Sequence, residues 1–205
     1  MKKPFIVGVG GYTSNVGKTT LMCDLLRAFP GWEAIKTTRG HYRSCGKDPH
    51  SCCVSHLLAG EPLVRSGWSE TYEAGKDTGR FWDAGAANVH WLIALETQVD
   101  AGIRQALNRV RGAGVFVEGN TFSRFVTPDY FVMVKRFGVN DIKRSAKTIL
   151  PQVSALFEYD RDDKQEDDGR QSGTLTRPNF SPATFPELVS RIQSAIAENS
   201  FSVIS

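Results

Sequence analysis

No stretch of this sequence approaches the roughly 18 consecutive apolar residues of a membrane-spanning helix, so no membrane partner is expected. The apolar run near its start, Phe5 to Val9, is cut off by Gly10-Gly11-Tyr12-Thr13. It reads as a core strand and not as a secretory leader. Charge of one sign is scarce as well: 25 Lys and Arg stand against 22 Asp and Glu, a formal net charge of +3. The basic residues are scattered and form no stripe, so no specific nucleic-acid partner is expected. The four cysteines include no Cys-x-x-Cys pair, and no segment repeats. Without a leader the expected location is cytoplasmic, where cysteines are thiols or metal ligands and not disulfides. The 205 residues suffice for one domain with a substantial core.

What is present is an alternation of short apolar runs with amphipathic ones. Phe5–Val9 predicts a buried strand, and Lys18–Phe29 a helix with Leu21, Leu25 and Leu26 on one face, stopped by Pro30-Gly31. Further strands are expected at Trp32–Thr37, Val89–Leu95, Val115–Val117, Tyr130–Val134 and Val153–Phe157. Helices are expected at Thr97–Val110, Asp141–Leu150 and Phe185–Ala197, and the charged stretch Glu158–Arg170 reads as an exposed loop. Residues 38 to 87 lack clean periodicity and read as a long insertion, broken by short helices near Ser51–Ala59 and Ala84–Val89. The alternation implies an α/β sheet covered on both faces, with functional residues at the carboxyl ends of the strands.

Gly11-Tyr12-Thr13-Ser14-Asn15-Val16-Gly17-Lys18-Thr19-Thr20 follows a strand and opens a helix, the context that a phosphate-binding loop requires. Its backbone amides can wrap a phosphate at the positive end of the helix dipole. Lys18 would reach the β- and γ-phosphate oxygens, and the Thr19 hydroxyl would ligate Mg²⁺. The spacing is unusual, because Tyr12 stands where the common motif has its first glycine and Gly11 lies one residue earlier.

This spacing resembles the dethiobiotin synthetase-like branch of P-loop proteins, and is also similar to the MobB family of molybdopterin guanine dinucleotide biosynthesis. Two further landmarks carry the resemblance: Lys36 in Ala34-Ile35-Lys36-Thr37, and Val117-Glu118-Gly119. The resemblance implies an α/β, three-layer P-loop NTPase fold with a mostly parallel central sheet, formed by residues 1–205 as a single domain with the insertion at about 38–87. It implies that Lys36 contacts substrate or phosphate and that Glu118 lies near Mg²⁺. A MobB-like protein would be a homodimeric accessory protein with weak hydrolysis. The alternatives are an ATP-dependent small-molecule kinase or ligase, and a metal-handling NTPase. The guanine-reading Asn-Lys-x-Asp is replaced by Val134-Lys135-Arg136-Phe137, so the nucleotide is ATP or GTP.

His41, Cys45, His50, Cys52, Cys53 and His56 lie within sixteen residues. Thiolate and imidazole suit Zn²⁺ or an iron–sulfur cluster. The competing readings are a packed thiol set with loop histidines, and redox or nucleophilic thiol chemistry. Arg39, His41, Arg43, Asp77 and Arg80 are candidates for holding an acceptor substrate, and Asp77 or Asp83 for holding metal-bound water or acting as a base. Ser123-Arg124 is placed to reach the same site. Cys23 and His90 read as core residues.

Overall fold

The computed structural model describes residues 3–40, 60–139, 141–159 and 177–202. The expected Ser51–Ala59 helix lies outside them, as do His41, Arg43, Cys45, His50, Cys52, Cys53, His56 and most of the acidic loop.

Eight strands form one sheet: β1 (Phe5–Gly11), β2 (Glu33–Arg39), β3 (Leu63–Ser66), β4 (Val89–Ala94), β5 (Gly114–Glu118), β6 (Tyr130–Arg136), β7 (Ala155–Tyr159) and β8 (Asn179–Phe180). Their order is β3-β4-β2-β5-β1-β6-β7-β8. Every pairing is parallel except that of β3 with β4. The helices are α1 (Lys18–Ala28), α2 (Trp68–Thr71), α3 (Asp77–Asp83), α4 (Val99–Arg109), α5 (Arg144–Ile149) and α6 (Phe185–Ser202). Crossovers between parallel strands put helices on both faces.

Strand periodicity explains the two cores. In β1, Val7 and Val9 point to one face, where they join Leu21, Leu25, Phe116, Val132, Leu188 and Ile192 under α1 and α6. Ile6 points to the other, among Val115, Val117, Ile103, Ala106 and Ile149 under α4 and α5. The result is the expected three-layer α/β fold.

The region expected to be an irregular insertion holds β3, α2 and α3. The short helix expected at Ala84–Val89 is instead a turn into β4. Gly85 takes a left-handed φ of 92°, and the Ala87 amide bonds to the Trp32 carbonyl. The helical residues are the preceding ones, Asp77–Asp83. They conceal a mid-helix glycine, Gly79, because any Cβ there would lie 2.0 Å from the Glu73 carbonyl oxygen.

A buried polar chain ties this region to the sheet. His90 is fully buried, and its Nε2 lies 2.7 Å from Glu33 Oε2 while Nδ1 lies 2.8 Å from Ser66 Oγ. A carboxylate only accepts, so Nε2 carries the proton. Glu33 Oε1 also accepts from the Arg111 and Gly112 amides, at 2.7 and 2.6 Å. Burial pushes the Glu33 carboxyl up, but the His90 bond and these two amides outweigh it and hold it below its ordinary value. Its contribution to stability is therefore full above the unfolded value of 4.5 and is lost as pH falls through the lower folded value. His90→Leu strips Glu33 of one partner and is expected to cost roughly 2–3 kcal/mol. Chemical denaturation at neutral pH checks this, and a loss below about 0.5 kcal/mol, the size of an ordinary surface substitution, would contradict it.

Candidate functional site

The loop from Gly11 to Gly17 joins the buried end of β1 to the first turn of α1 at the carboxyl edge of the sheet. Two residues bend it. Asn15 takes φ 59° and Gly17 takes φ 95°. A Cβ on Gly17 would stand 2.6 Å from the Tyr159 ring, so this position needs glycine for space as well as for conformation. The Tyr159 hydroxyl is itself buried without a partner among the described residues, and burial raises its pKa.

Asn120 staples the loop to the strand beside it. Its Oδ1 accepts from the Gly11 amide at 2.9 Å, and its Nδ2 donates to the Gly11 carbonyl at 3.0 Å. On the other side, the Lys143 amide donates to the Tyr12 carbonyl at 3.0 Å. Both contacts escape sequence reading, since the partners are over 100 residues away.

The tips of β2 and β5 bring the charged groups together. Lys36 and Glu118 are register partners. Lys36 Nζ donates to Glu118 Oε1 at 2.9 Å and to Asp77 Oδ2 at 2.5 Å. The Thr19 hydroxyl donates to Glu118 Oε2 at 3.3 Å, and the Thr37 hydroxyl to the Glu118 carbonyl at 2.6 Å. Burial pulls Lys36 down, but Glu118 and Asp77 outweigh it and hold the ammonium charged. Burial likewise raises Asp77, and Lys36, Thr19 and Arg80 more than offset it, keeping the carboxylate ionised. Lys18 is pulled below its ordinary value by burial and by Lys36, with Glu118 and Asp77 opposing.

These groups line a cleft of about 630 Å³, walled by six cationic side chains (Lys18, Lys36, Arg39, Arg80, Arg136 and Lys143) against two carboxylates, Asp77 and Glu118. Low-dielectric walls with an excess of one sign focus potential toward an anion. Ser14, Asn15, Gly17, Thr19 and Thr20 also line it. Gly11, Thr13 and Val16 do not, and Val16 is packed into the core. Arg39 reaches the cleft while pairing with Glu96, which Arg124 also holds.

Other expectations fall elsewhere. Asp83 is exposed and lies off the cleft, at the far end of α3. Ser123 turns inward to donate to the Asn120 carbonyl, and neither it nor Arg124 lines the cleft. Cys23 is a buried thiol donating to the Arg80 carbonyl, in keeping with a core role. Among the described residues no group of three or more His, Cys, Asp and Glu side chains could hold a metal. The cysteines and histidines considered for Zn²⁺ or iron–sulfur binding are not among those residues. No described helix is long and apolar enough to cross a membrane.

No family model matches the chain, and no curated protein matches it in sequence. Among solved structures it is similar to LpxK from Aquifex aeolicus in complex with ATP, at 16% identity and a TM-score of 0.50, over 88% of this chain and 54% of that one. It is also similar to the signal recognition particle receptor FtsY from Elizabethkingia anophelis in complex with GDP (14%, TM-score 0.37, over 78% and 50%). Bacillus subtilis MobB is similar at 13% identity, with a TM-score of 0.42 over 93% and 96%. The chain spans about half the length of LpxK and of FtsY. Together with the glycine loop between β1 and α1, the LpxK likeness defines the fold as that of the P-loop NTPases.

Proposed function

We propose that this chain binds a nucleoside triphosphate with Mg²⁺ in the cleft and moves its terminal phosphoryl group. The observation that carries this reading is the meeting of Lys18 and Thr19, on the first turn of α1, with Glu118, Lys36 and Asp77 across a cation-rich cleft. The loop amides and Lys18 hold the phosphates, and Lys36 offsets charge that builds on the transferring group. Thr19 Oγ1 and Glu118 Oε2 are hard oxygen donors 3.3 Å apart, a donor set suited to Mg²⁺, which takes one or two protein oxygens and completes its shell with water and phosphate. Bound there, Mg²⁺ supplies neutralisation of phosphate charge.

In the transfer, an acceptor oxygen forms a bond to the γ-phosphorus. The bond to the β–γ bridging oxygen breaks, the diphosphate leaves, and the acceptor's proton passes to Asp77 or to solvent. Water as acceptor gives hydrolysis. The resemblance of Gly11–Thr20, Lys36 and Val117-Glu118-Gly119 to MobB supports a weakly hydrolysing, homodimeric accessory protein of molybdopterin guanine dinucleotide formation. A second reading, a small-molecule kinase, is favoured by the extent of the cleft. It continues past the loop onto Leu92, Ala94, Val99, Thr121, Phe122 and Ser145, more wall than a triphosphate covers. Measuring phosphate release with and without added acceptors separates the two. Release at the same slow rate with every acceptor supports the accessory reading, and acceptor-dependent consumption of nucleotide supports the kinase.

Lys36→Met leaves Asp77 and Glu118 without their shared cation. It is expected to lower turnover by about 100-fold, the scale for losing one charge-stabilising donor, with a smaller effect on nucleotide affinity. Loss of nucleotide affinity with turnover at saturation unchanged would assign Lys36 to ground-state binding instead.

A further inference from the structure

We propose that Lys143, with Arg39, forms a subsite for an anionic group, a phosphate or carboxylate, on the acceptor. This rests on the phosphoryl-transfer reading above and names the class of acceptor it would take.

The cleft has two walls. The loop, α1 and Asp77 of α3 make one. Leu92, Val99 and Phe122, which belong to the core beneath α4 and α5, make the other, and Lys143 projects from that side at the start of α5. Lys143 is fixed there by its amide bond to the Tyr12 carbonyl and by the carbonyl bonds it accepts from the Ala146 and Lys147 amides. Its neighbour Ile142 packs into the core.

Lys36 and Lys143 are both partly buried cations of the same cleft, but they differ in their partners. Lys36 has two carboxylates within bonding distance. Lys143 has no ion pair among the described residues, and the charges that act on it are the cations Lys18 and Arg39 and the single carboxylate Glu118. Burial, with Lys18 and Arg39, pushes its ammonium down to about 8. A half-buried cation facing two others is unfavourable in the empty protein, and an anion placed among them removes the conflict.

The nucleotide's own phosphates have Lys18, Lys36 and the loop amides on the α1 side. Lys143 lies on the α5 side of the sheet, and Arg39 and the apolar side chains of Leu92, Ala94 and Val99 line the same cleft. That composition fits an acceptor with a small apolar body and one anionic group. Arg39 offers a planar fork for the anion, and Lys143 a point charge.

Calorimetric titration of inorganic phosphate into protein saturated with Mg²⁺ and a non-hydrolysable triphosphate tests the proposal. The expected result is one further phosphate per chain. Its affinity should fall about tenfold or more in Lys143→Met and be largely kept in Lys143→Arg, with nucleotide affinity falling far less. Circular dichroism confirms that each variant is folded. Absence of a second phosphate on the loaded wild-type protein overturns the subsite and leaves the nucleotide reading standing. So does an equal loss of nucleotide affinity in Lys143→Met, which would place Lys143 on the nucleotide's own phosphates. Failure of the wild-type protein to bind the triphosphate at all overturns both.

Discussion

Lys18→Ala is expected to weaken triphosphate binding by about 100-fold or more, since in the proposed complex Lys18 would make at least two charge-assisted contacts at about 1.5–3 kcal/mol each. Lys18 is the first residue of α1, and its side chain lines the cleft instead of packing into the core beneath that helix, which is made by Leu21, Met22, Leu25 and Leu26. Alanine is the better helix former, so the fold should be unaffected. Burial and Lys36 already disfavour the Lys18 ammonium in the empty site, so the variant is expected to be as stable as the parent or slightly more so. Affinity by calorimetry and midpoint by thermal melting check both parts. A folded variant with unchanged affinity would remove the phosphates from this loop.

Glu118→Gln carries the second large effect. One oxygen of Glu118 holds Lys36 and the other meets the Thr19 hydroxyl, so a single carboxylate joins the cation and the candidate metal ligand. Glutamine keeps the size and can still accept from Lys36, but it removes the charge. Turnover is expected to fall by about 100-fold or more, and the Mg²⁺ concentration for half-maximal activity to rise. Nucleotide affinity without Mg²⁺ should hold or improve, because a negative charge near the phosphates has gone. If turnover at saturating Mg²⁺ were unchanged, Glu118 would be a structural partner of Lys36 and Thr37 alone.

The sheet and the phosphate loop were legible for a physical reason: both rest on local pattern. The runs Phe5–Val9, Val89–Leu95 and Tyr130–Val134 are buried on both faces, so they stand out as continuous apolar segments, and each is a strand. The edge strands did not stand out. Leu63–Ser66 is four residues with one side half exposed, and Asn179–Phe180 is two residues long. In α3 a glycine demanded by a close backbone approach masks the helix, and the helical reading slipped to the residues after it.

In the site, Lys18, Thr19, Lys36 and Glu118 were visible because each follows or ends a strand, and the parallel register brings them together. Asp77 was visible only as a charge in a polar stretch. Its position against Lys36 depends on how α3 packs beside α1. Asn120 and Lys143 were missed because their roles are contacts to Gly11 and Tyr12, which no local spacing encodes. Buried Glu33 was missed for the same reason: its partners are His90, Arg111 and Gly112.

The most direct test of the central claim is calorimetric titration of the nucleotide-free protein with non-hydrolysable ATP and GTP analogues, each with and without Mg²⁺. One saturable site per chain for at least one analogue, tighter with Mg²⁺ and lost in Lys18→Ala, is the result expected of a triphosphate held by the loop, Thr19 and Glu118. No saturable binding of either analogue under any of these conditions would contradict it.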